Sequence, residues 1–442
     1  MRFERHQASV VWNGLLFERA RMMKRKLLLF AALGLQTLAH AVSRFPKPDF
    51  ESGYQYPEVS YTIPHEHLWY VVDVVLLVLL LGVVAWAVYK NRTRVPIIIT
   101  SVISIAYFGF FRGGCVCSIG SIQNVALAMV DENYHLPWVV LLFFLIPIIF
   151  AFFFGRVFCA GVCPFGALQE LVNVKSFRIS KPIAKTLSVI PWIYLCFALL
   201  FVFTHSRFII CQFDPFIGIF RLGGDTGLIF FGVALLLMSV FTGRPFCRFL
   251  CPYGALLSLF SSVSIRKPQI TQNQCVNCQL CHQSCPVDAV LPPYQNKVEE
   301  ERTKSVWRVL RYVVVVPCLM LLGVFLMRLS APRLSVANKE VRLYQLVMQQ
   351  EANPDQPMPA EVEAFYAQGR TVEELTATNE KIQKDFLFYG SIAGAVIGWV
   401  IGVNLIRLTL RRTRKEYSID ARHCVACGKC FSYCPNTKGV KS

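Results

Sequence analysis

Four cysteines near the middle of the chain have a spacing that few kinds of site can use. They occur in CVNCQLCHQSCP, from Cys275 to Pro286, with the pattern Cys-x2-Cys-x2-Cys-x3-Cys-Pro. Bacterial ferredoxins use this spacing, in which three cysteines wrap one [4Fe-4S] cluster and the fourth ligates a second cluster where two are present. Zinc sites instead pair two Cys-x2-Cys units. The stretch Cys278–His282 also matches c-type haem attachment, but a haem there would strand Cys275 and Cys285. The run therefore predicts iron–sulfur binding.

The composition indicates a membrane protein. Of the 442 residues, 55% are hydrophobic and only 16% are charged, against about 25% charged in soluble domains. The formal net charge of +18 could suggest nucleic acid, but Lys and Arg also collect in the cytoplasmic loops of membrane proteins. We therefore expect membrane lipid as a partner and no nucleic acid. Most of the 17 cysteines fall in metal-type spacings rather than in a secreted disulfide framework.

Apolar stretches of about 20 residues, enough to cross a bilayer, predict about seven transmembrane helices. The loops between them differ in charge: 113–136 has no Lys or Arg, whereas 90–94 and 175–185 are rich in both. The positive-inside rule then predicts a multi-pass protein of the bacterial inner (cytoplasmic) membrane, with 261–300 and 411–442 on the cytoplasmic side. The predicted helices lie at about 68–89, 95–112, 137–155, 187–205, 226–243, 307–328 and 386–407.

The chain ends in a second Cys-x2-Cys-x2-Cys-x3-Cys-Pro run, from Cys424 to Pro435. Two membrane crossings separate the two runs, so both are predicted on one face, where they can form a split bacterial-type 2[4Fe-4S] ferredoxin module. In such modules the fourth cysteine of each run ligates the other cluster. The predicted ligand sets are therefore Cys275, Cys278, Cys281 and Cys434 for one cluster, and Cys424, Cys427, Cys430 and Cys285 for the other.

These features divide the chain into segments. The first has a basic region followed by an apolar run that ends in Ala-His-Ala, the form of a signal peptide, with an uncleaved first helix as the alternative. The predicted segments are 1–42 (signal peptide or first helix), 43–67 (periplasmic), 68–260 (transmembrane core), 261–300 (first ferredoxin half), 301–328 (transmembrane helix), 329–385 (periplasmic helical segment), 386–410 (transmembrane helix) and 411–442 (second ferredoxin half).

The transmembrane core contains an internal repeat. Helix 137–155 is followed by GRVFCAGVCPFGALQEL and helix 226–243 by GRPFCRFLCPYGALLSL. Each copy is predicted to follow a helical hairpin, and the two hairpins would be parallel, giving a four-helix core. Cysteines at i and i+4 share one helix face, and the following Pro suits the first turn of a new helix. The four cysteines of the repeats, Cys159, Cys163, Cys247 and Cys251, could form a shared third metal or redox centre, two dithiols, or simply pack.

Three further cysteines lie in loops predicted on the outer face. Cys115 and Cys117 form a Cys-x-Cys pair in RGGCVCSIG, and Cys211 lies in ICQFDPFIGIFR. A disulfide within Cys-x-Cys would be strained, so ligation of a metal or exchange with Cys211 is favoured over it. The alternative is that all three are small buried hydrophobic residues.

The paired CxxxCP motifs followed by ferredoxin runs resemble the NapH/NosR family of membrane-bound polyferredoxins. The resemblance covers about residues 68–290 and the C-terminal tail. It implies cytoplasmic [4Fe-4S] clusters, bound by the eight ferredoxin cysteines, and a role for the four CxxxCP cysteines. It also implies electron transfer from the quinol pool to a periplasmic reductase partner, through a quinol dehydrogenase-type component if the chain is part of an enzyme.

A second resemblance leads to a different function. RdxA/FixG-like proteins share the CxxxCP and ferredoxin motifs, which implies assembly of metal centres such as copper, with Cys115, Cys117 and Cys211 as a copper site. A redox sensor is a third possibility.

The sequence contains no Walker loop, GxGxxG, HExxH or nucleophile elbow, so no catalytic residue is predicted. We therefore expect an all-α membrane protein that moves electrons from quinol through [4Fe-4S] clusters.

Overall fold

The computed structural model describes residues 67–114, 117–174, 176–270, 275–294, 302–409, 414 and 416–435. The predicted segment at 1–42, nearly all of that at 43–67, and Cys115 lie outside these residues. The described part of the chain is mostly helical and contains two strands of two residues each. The predicted helical fold class is confirmed for this part.

The helices follow one another with short connections. In chain order they are α1 (His67–Trp86), α2 (Val95–Ser104), α3 (Ser118–Ala128), α4 (Trp138–Phe154), α5 (Pro164–Val172), α6 (Lys181–Leu187), α7 (Ile190–Phe203), α8 (Ile209–Gln212), α9 (Ile217–Arg221), α10 (Thr226–Phe241), α11 (Pro245–Phe249), α12 (Pro252–Ser262), α13 (Leu280–Gln283), α14 (Arg302–Ser335), α15 (Lys339–Ala352), α16 (Ala360–Ala367), α17 (Val372–Thr409) and α18 (Lys429–Ser432). Short π-helical stretches lie at Ala87–Asn91, Ile105–Phe111 and Phe158–Val162, and the strands are β1 (Val290–Leu291) and β2 (Ser418–Ile419).

Helices occupy all seven predicted positions, but they differ in length. Four are long and apolar enough to cross a bilayer: Leu68–Asn91, Pro182–Phe203, Leu310–Ser335 and Val372–Leu408. The three other apolar stretches, Val95–Phe111, Trp138–Phe154 and Thr226–Phe241, are shorter. A helix rises 1.5 Å per residue, so these reach less far than the roughly 30 Å of a bilayer core. The structure thus supports a membrane protein with four candidate spans.

Helices α14 and α17 pack against each other along a stripe of glycines. A Cβ atom at Gly394 would overlap the carbonyl oxygen of Gly323, and one at Gly398 would overlap that of Leu319. The absence of side chains therefore lets the two backbones touch, as in other small-residue helix interfaces. Both helices extend past the limits predicted for them, α14 to Ser335 and α17 back to Val372, so the segment at 329–385 begins and ends inside long helices.

The two CxxxCP repeats are intertwined. Helix α4, which precedes the first motif, packs on α12, which follows the second, and α10 packs on α5 in the same way. The Tyr253 hydroxyl donates to the carbonyl oxygen of Phe144 at 2.8 Å, and the Asn173 amide donates to that of Ser239 at 2.8 Å. This exchange of partners brings the two motifs together at the centre of the bundle.

The two ferredoxin segments pair with each other although almost 140 residues separate them in sequence. Strand β1 lies antiparallel to β2, with Val290 opposite Ile419, and Tyr294 forms an isolated bridge with Arg414. The short helices α13 and α18, one from each cysteine run, also contact each other. The two segments therefore form one structural module.

Both halves of this module contact the core that carries the CxxxCP repeats. The first half packs on the second repeat. Gly243 lies so close to the backbone of Pro286 that a Cβ atom there would overlap it, and Arg248 forms a 3.1 Å ion pair with Asp288. The second half packs on the first repeat, where Arg156 donates to the carbonyl oxygen of Arg422 at 3.1 Å. The module is thereby fixed against the part of the core that carries the CxxxCP cysteines.

Candidate iron–sulfur site

The cysteines of the second run surround a cavity together with one cysteine of the first run. Cys424, Cys427 and Cys430 line this cavity, and so does Cys285. The remaining lining is mostly apolar and includes Val287, Val290 and Val425, with Lys429 beside Cys430. The four cysteines that are predicted to ligate one cluster therefore lie around one cavity.

The other four ferredoxin cysteines are grouped on the more exposed side of the module. Cys281 lies within electrostatic range of Cys275, Cys278 and Cys434. Cys275 and Cys278 are exposed, whereas Cys281 and Cys434 are half-buried. The structure thus brings together the second predicted ligand set as well, and gives the two sets different access to solvent.

Backbone amides donate hydrogen bonds to three of the sulfurs predicted to ligate one cluster. The Ala289 amide donates to Cys285 Sγ at 3.3 Å, and the amides of Ala426 and Lys429 donate to Cys424 and Cys427. Hydrogen bonds to the sulfurs are a main way in which proteins tune Fe–S centres. In the described residues no three His, Cys, Asp or Glu side chains converge as they would around one ion.

Burial disfavours ionisation of these cysteine thiols when no cation is bound. It raises the pKa of the Cys424 thiol to about 12 and that of Cys427 to about 11. Both sulfurs would therefore be protonated at neutral pH, and binding of iron must release their protons.

The four CxxxCP cysteines are buried and adjoin one another. Cys163 lies within electrostatic range of Cys159, Cys247 and Cys251. The predicted helix start at the proline is present in both copies, with Pro164 and Pro252 in the first turn. Cys163 and Cys251 are the N-cap residues of these helices. The helical turn before each of them therefore ends at the second cysteine, and the two cysteines of a motif do not lie on one face of a single continuous helix. The Gly254 amide donates to Cys251 Sγ at 3.2 Å.

A buried charge cluster connects these cysteines to the ferredoxin module. Arg244 is fully buried and donates to Glu170 at 3.1 Å, to the carbonyl oxygen of Ala160 at 2.9 Å, and to that of Cys159. Lys429, between two cysteines of the second run, reaches Glu170 at 3.1 Å. Arg244 therefore lies between the CxxxCP cysteines and the second ferredoxin run.

Glu170 holds this charge cluster together. It also accepts from Arg94 at 2.8 Å, so three cations surround one buried carboxylate. Burial by itself raises the pKa of Glu170, but Arg244, Lys429 and Arg94 outweigh it and keep the pKa below the ordinary value. The carboxylate is therefore ionised at neutral pH.

Sequence reasoning did not identify Glu170, Lys429 or the roles of Arg156 and Arg244. The sequence did single out the two arginines, because they occupy equivalent positions in the two repeats. No such signal exists for Glu170, since the second repeat has Ser258 at that position. Gln169 was missed for the same reason; its amide donates to Cys247 Sγ at 3.5 Å and accepts from the Phe246 amide at 3.1 Å.

The described cysteines of the outer loops lie close to the central motif. Cys117 shares a small, mainly apolar cavity with Cys163, and it lies within electrostatic range of Cys211 and Asp214. No disulfide joins the described cysteines. Cys117 is half-buried and Cys211 is exposed.

Two stretches of the chain match the model of a family described as a 4Fe-4S binding domain. They are residues 136–182 and 225–270. Each contains one CxxxCP motif, whereas both ferredoxin runs lie outside the matched residues. The match therefore indicates that the protein binds 4Fe-4S clusters.

The curated proteins include relatives that match part of this chain. An uncharacterized protein of Methanocaldococcus jannaschii is 28% identical over 43% of this chain and 80% of its own length. The regulatory protein NosR of Pseudomonas aeruginosa is 33% identical over 31% of this chain and 21% of its own length. The putative electron transport protein YccM of Escherichia coli is 30% identical over 31% of this chain and 43% of its own length.

These relatives confirm the resemblance to NosR-type 4Fe-4S proteins. The chain spans only about a fifth of NosR and under half of YccM, so the similarity covers part of those proteins and not their whole length. No solved structure matches the chain. The chain is thus a membrane-associated 4Fe-4S protein with relatives named for electron transport and regulation.

Proposed function

We propose that this protein carries electrons across the bacterial inner membrane, from quinol through iron–sulfur centres toward a periplasmic reductase system. The observation that best supports this is the contact between the paired ferredoxin module and the CxxxCP core through Arg244, Glu170 and Lys429. A bilayer core of about 30 Å is wide for a single electron hop. Redox centres at one end of the spans and in the bundle interior would shorten each step.

The residues that would hold the clusters follow from the grouping of the sulfurs. Cys275, Cys278, Cys281 and Cys434 would hold one [4Fe-4S] cluster, and Cys424, Cys427, Cys430 and Cys285 would hold the other. Cys159, Cys163, Cys247 and Cys251 would hold a third centre, which the family match favours over dithiols or inert packing. Such clusters supply one-electron chemistry. The protein's own groups bury them, donate hydrogen bonds to their sulfurs and compensate their charge.

A regulatory role is the second candidate, because a matched relative is named a regulatory protein. In that case the same cysteines would report the redox state instead of conducting electrons. Reaction of the purified protein with quinol and quinone distinguishes the two functions. If added quinol does not reduce the protein, and quinone does not re-oxidise it after chemical reduction, then the quinol-linked function is wrong.

The iron content tests the number of centres. We expect about twelve irons and as many labile sulfides per chain if the CxxxCP cysteines hold a third cluster, and about eight if they do not. Cys163→Ser with Cys251→Ser should lower the content from about twelve to about eight. A matched control is Cys196→Ser with Cys318→Ser, which changes two cysteines outside every motif and should leave iron unchanged. EPR of the reduced protein checks the cluster type. Fewer than eight irons in fully loaded protein would contradict the split module.

A further inference from the structure

Adjoining residues lead from the buried CxxxCP cysteines to the exposed Cys211, toward the end of the spans opposite the ferredoxin module. Its first step is the cavity that Cys163 and Cys117 line together, with Phe158 and Phe165 among its walls. Tyr253 lies within electrostatic range of both cysteines. Ser118 Oγ, next to Cys117, is buried without a hydrogen-bond partner and also lines this cavity. The inner motif and the first outer loop therefore meet.

The second step joins Cys117 to Cys211 through Gly120. The Gly120 amide donates to the Cys117 sulfur. A Cβ at Gly120 would lie 3.0 Å from Cys211 Sγ. Because Gly120 has no side chain, the short helix α8 that carries Cys211 can come close to helix α3. The two sulfurs thus adjoin the same residue.

Cys211 opens into a pocket with a strongly basic lining. The pocket is lined by Ser206, Arg207, Phe208, Cys211, Gln212, Lys339 and Arg342, and these described residues include no Asp or Glu. Arg342 also pairs with Glu361 at 3.1 Å, which offsets part of its charge. Arg207 and Lys339 are exposed. An anionic surface would therefore be attracted to the place where Cys211 is accessible.

The pocket is held in place from both sides. Arg207 donates to the carbonyl oxygen of Ala337 at 3.1 Å, and Asn338 donates to that of Thr204 at 3.1 Å. These bonds fix the start of α15 to the end of α7. The beginning of α7 lies at the other end of the bundle, where Asn404 donates to the carbonyl oxygen of Lys185 at 2.6 Å, close to the chain that leads into the second ferredoxin run.

We propose that this basic pocket is the docking surface for a soluble redox protein with a carboxylate-rich surface around its cofactor, and that electrons leave the chain there past Cys211. The proposal rests on the outward electron transfer proposed above. One electron passes from the reduced chain to the oxidised partner, and no bond forms or breaks. Complementary charge speeds such encounters and makes them dependent on salt.

Charged thiol reagents test the pocket without any need for bound clusters. The full chain in sealed vesicles is treated from outside with an anionic sulfonatoethyl or a cationic trimethylammonioethyl methanethiosulfonate, and modification of Cys211 is followed by mass spectrometry. We expect the anionic reagent to react about tenfold faster than the cationic one at low salt.

Arg207→Gln with Lys339→Gln and Arg342→Gln should bring the ratio of the two reaction rates toward one. The control variant Arg333→Gln with Lys381→Gln and Lys384→Gln, three cations that do not line the pocket, should keep the wild-type ratio. A wild-type ratio near one overturns the proposal.

Electron exit is tested with two impermeant acceptors, hexacyanoferrate(III) and hexaammineruthenium(III), added to reduced protein in the same vesicles. We expect hexacyanoferrate(III) to oxidise the wild type faster than the triple pocket variant, with the difference lost at high salt. An equal rate in both overturns the docking proposal but leaves outward electron transfer intact. If neither acceptor oxidises the wild type, then outward transfer itself is wrong, and the docking proposal falls with it.

Discussion

Deleting the last twenty residues is expected to remove both clusters of the ferredoxin module and not only the one nearest the C-terminus. The deletion removes Cys424, Cys427 and Cys430, and with them Cys434, which lies in range of Cys281 in the first run. It also removes Lys429, which fixes this loop to Glu170. The iron held by the module should fall from about eight atoms per chain to near zero.

Deletion of residues 437–442 is the matched control for this experiment. It shortens the same tail but keeps all four cysteines of the second run. Iron content and the EPR signals of the reduced protein should remain as in the wild type. An intact [4Fe-4S] signal from the first run after the longer deletion would count against a shared module.

Glu170→Gln is expected to be strongly destabilising. The substitution leaves Arg244 fully buried without its carboxylate partner and removes one of the two polar contacts that Lys429 makes with α5 and the residue after it. Removal of one member of a buried ion pair costs about 3–5 kcal/mol. We therefore expect a clearly lower thermal midpoint in detergent, and loss of iron from the cavity of Cys424, Cys427 and Cys430 before loss from the first run.

Glu380→Gln is the control for the loss of a carboxylate. Glu380 pairs with Lys384 on an exposed helix surface at 3.7 Å, and such i, i+4 pairs contribute only about 0.3–0.5 kcal/mol. This variant should behave like the wild type. Equal thermal midpoints for Glu170→Gln and Glu380→Gln would show that the buried cluster does not hold the module in place.

The sequence predicted the helical fold because its signals are local. Apolar stretches gave the position of every apolar helix, and the prolines after Cys163 and Cys251 gave the starts of α5 and α12. Helix ends were predicted less well. The helix predicted at 307–328 runs to Ser335, and it continues through Pro332 although proline usually ends a helix.

The site was predictable where residue spacing carries the chemistry. The eight ferredoxin cysteines came from two identical patterns, and the family match covers the two CxxxCP motifs. The residues that connect these groups were not predictable. Glu170 contacts Lys429, 259 positions later in the chain, and only the folded arrangement of the repeats and the tail brings them together. Long-range charge contacts of this kind leave no pattern within a single sequence.

The intertwined packing of the repeats was missed for the same reason. Two parallel hairpins were expected from the repeated sequence. In the structure, Tyr253 of the second repeat bonds to Phe144 of the first, and Asn173 of the first bonds to Ser239 of the second. The similarity of two segments shows that they fold alike, but it does not show which segment packs on which.

The exchange of cysteines between the two runs is the central claim, and the iron content of paired variants tests it most directly. Cys285→Ser with Cys424→Ser should damage a single cluster and remove about four irons, whereas Cys285→Ser with Cys281→Ser should damage both and remove about eight. If the first pair removes about eight irons and the second about four, each run holds its own cluster and the shared module is wrong.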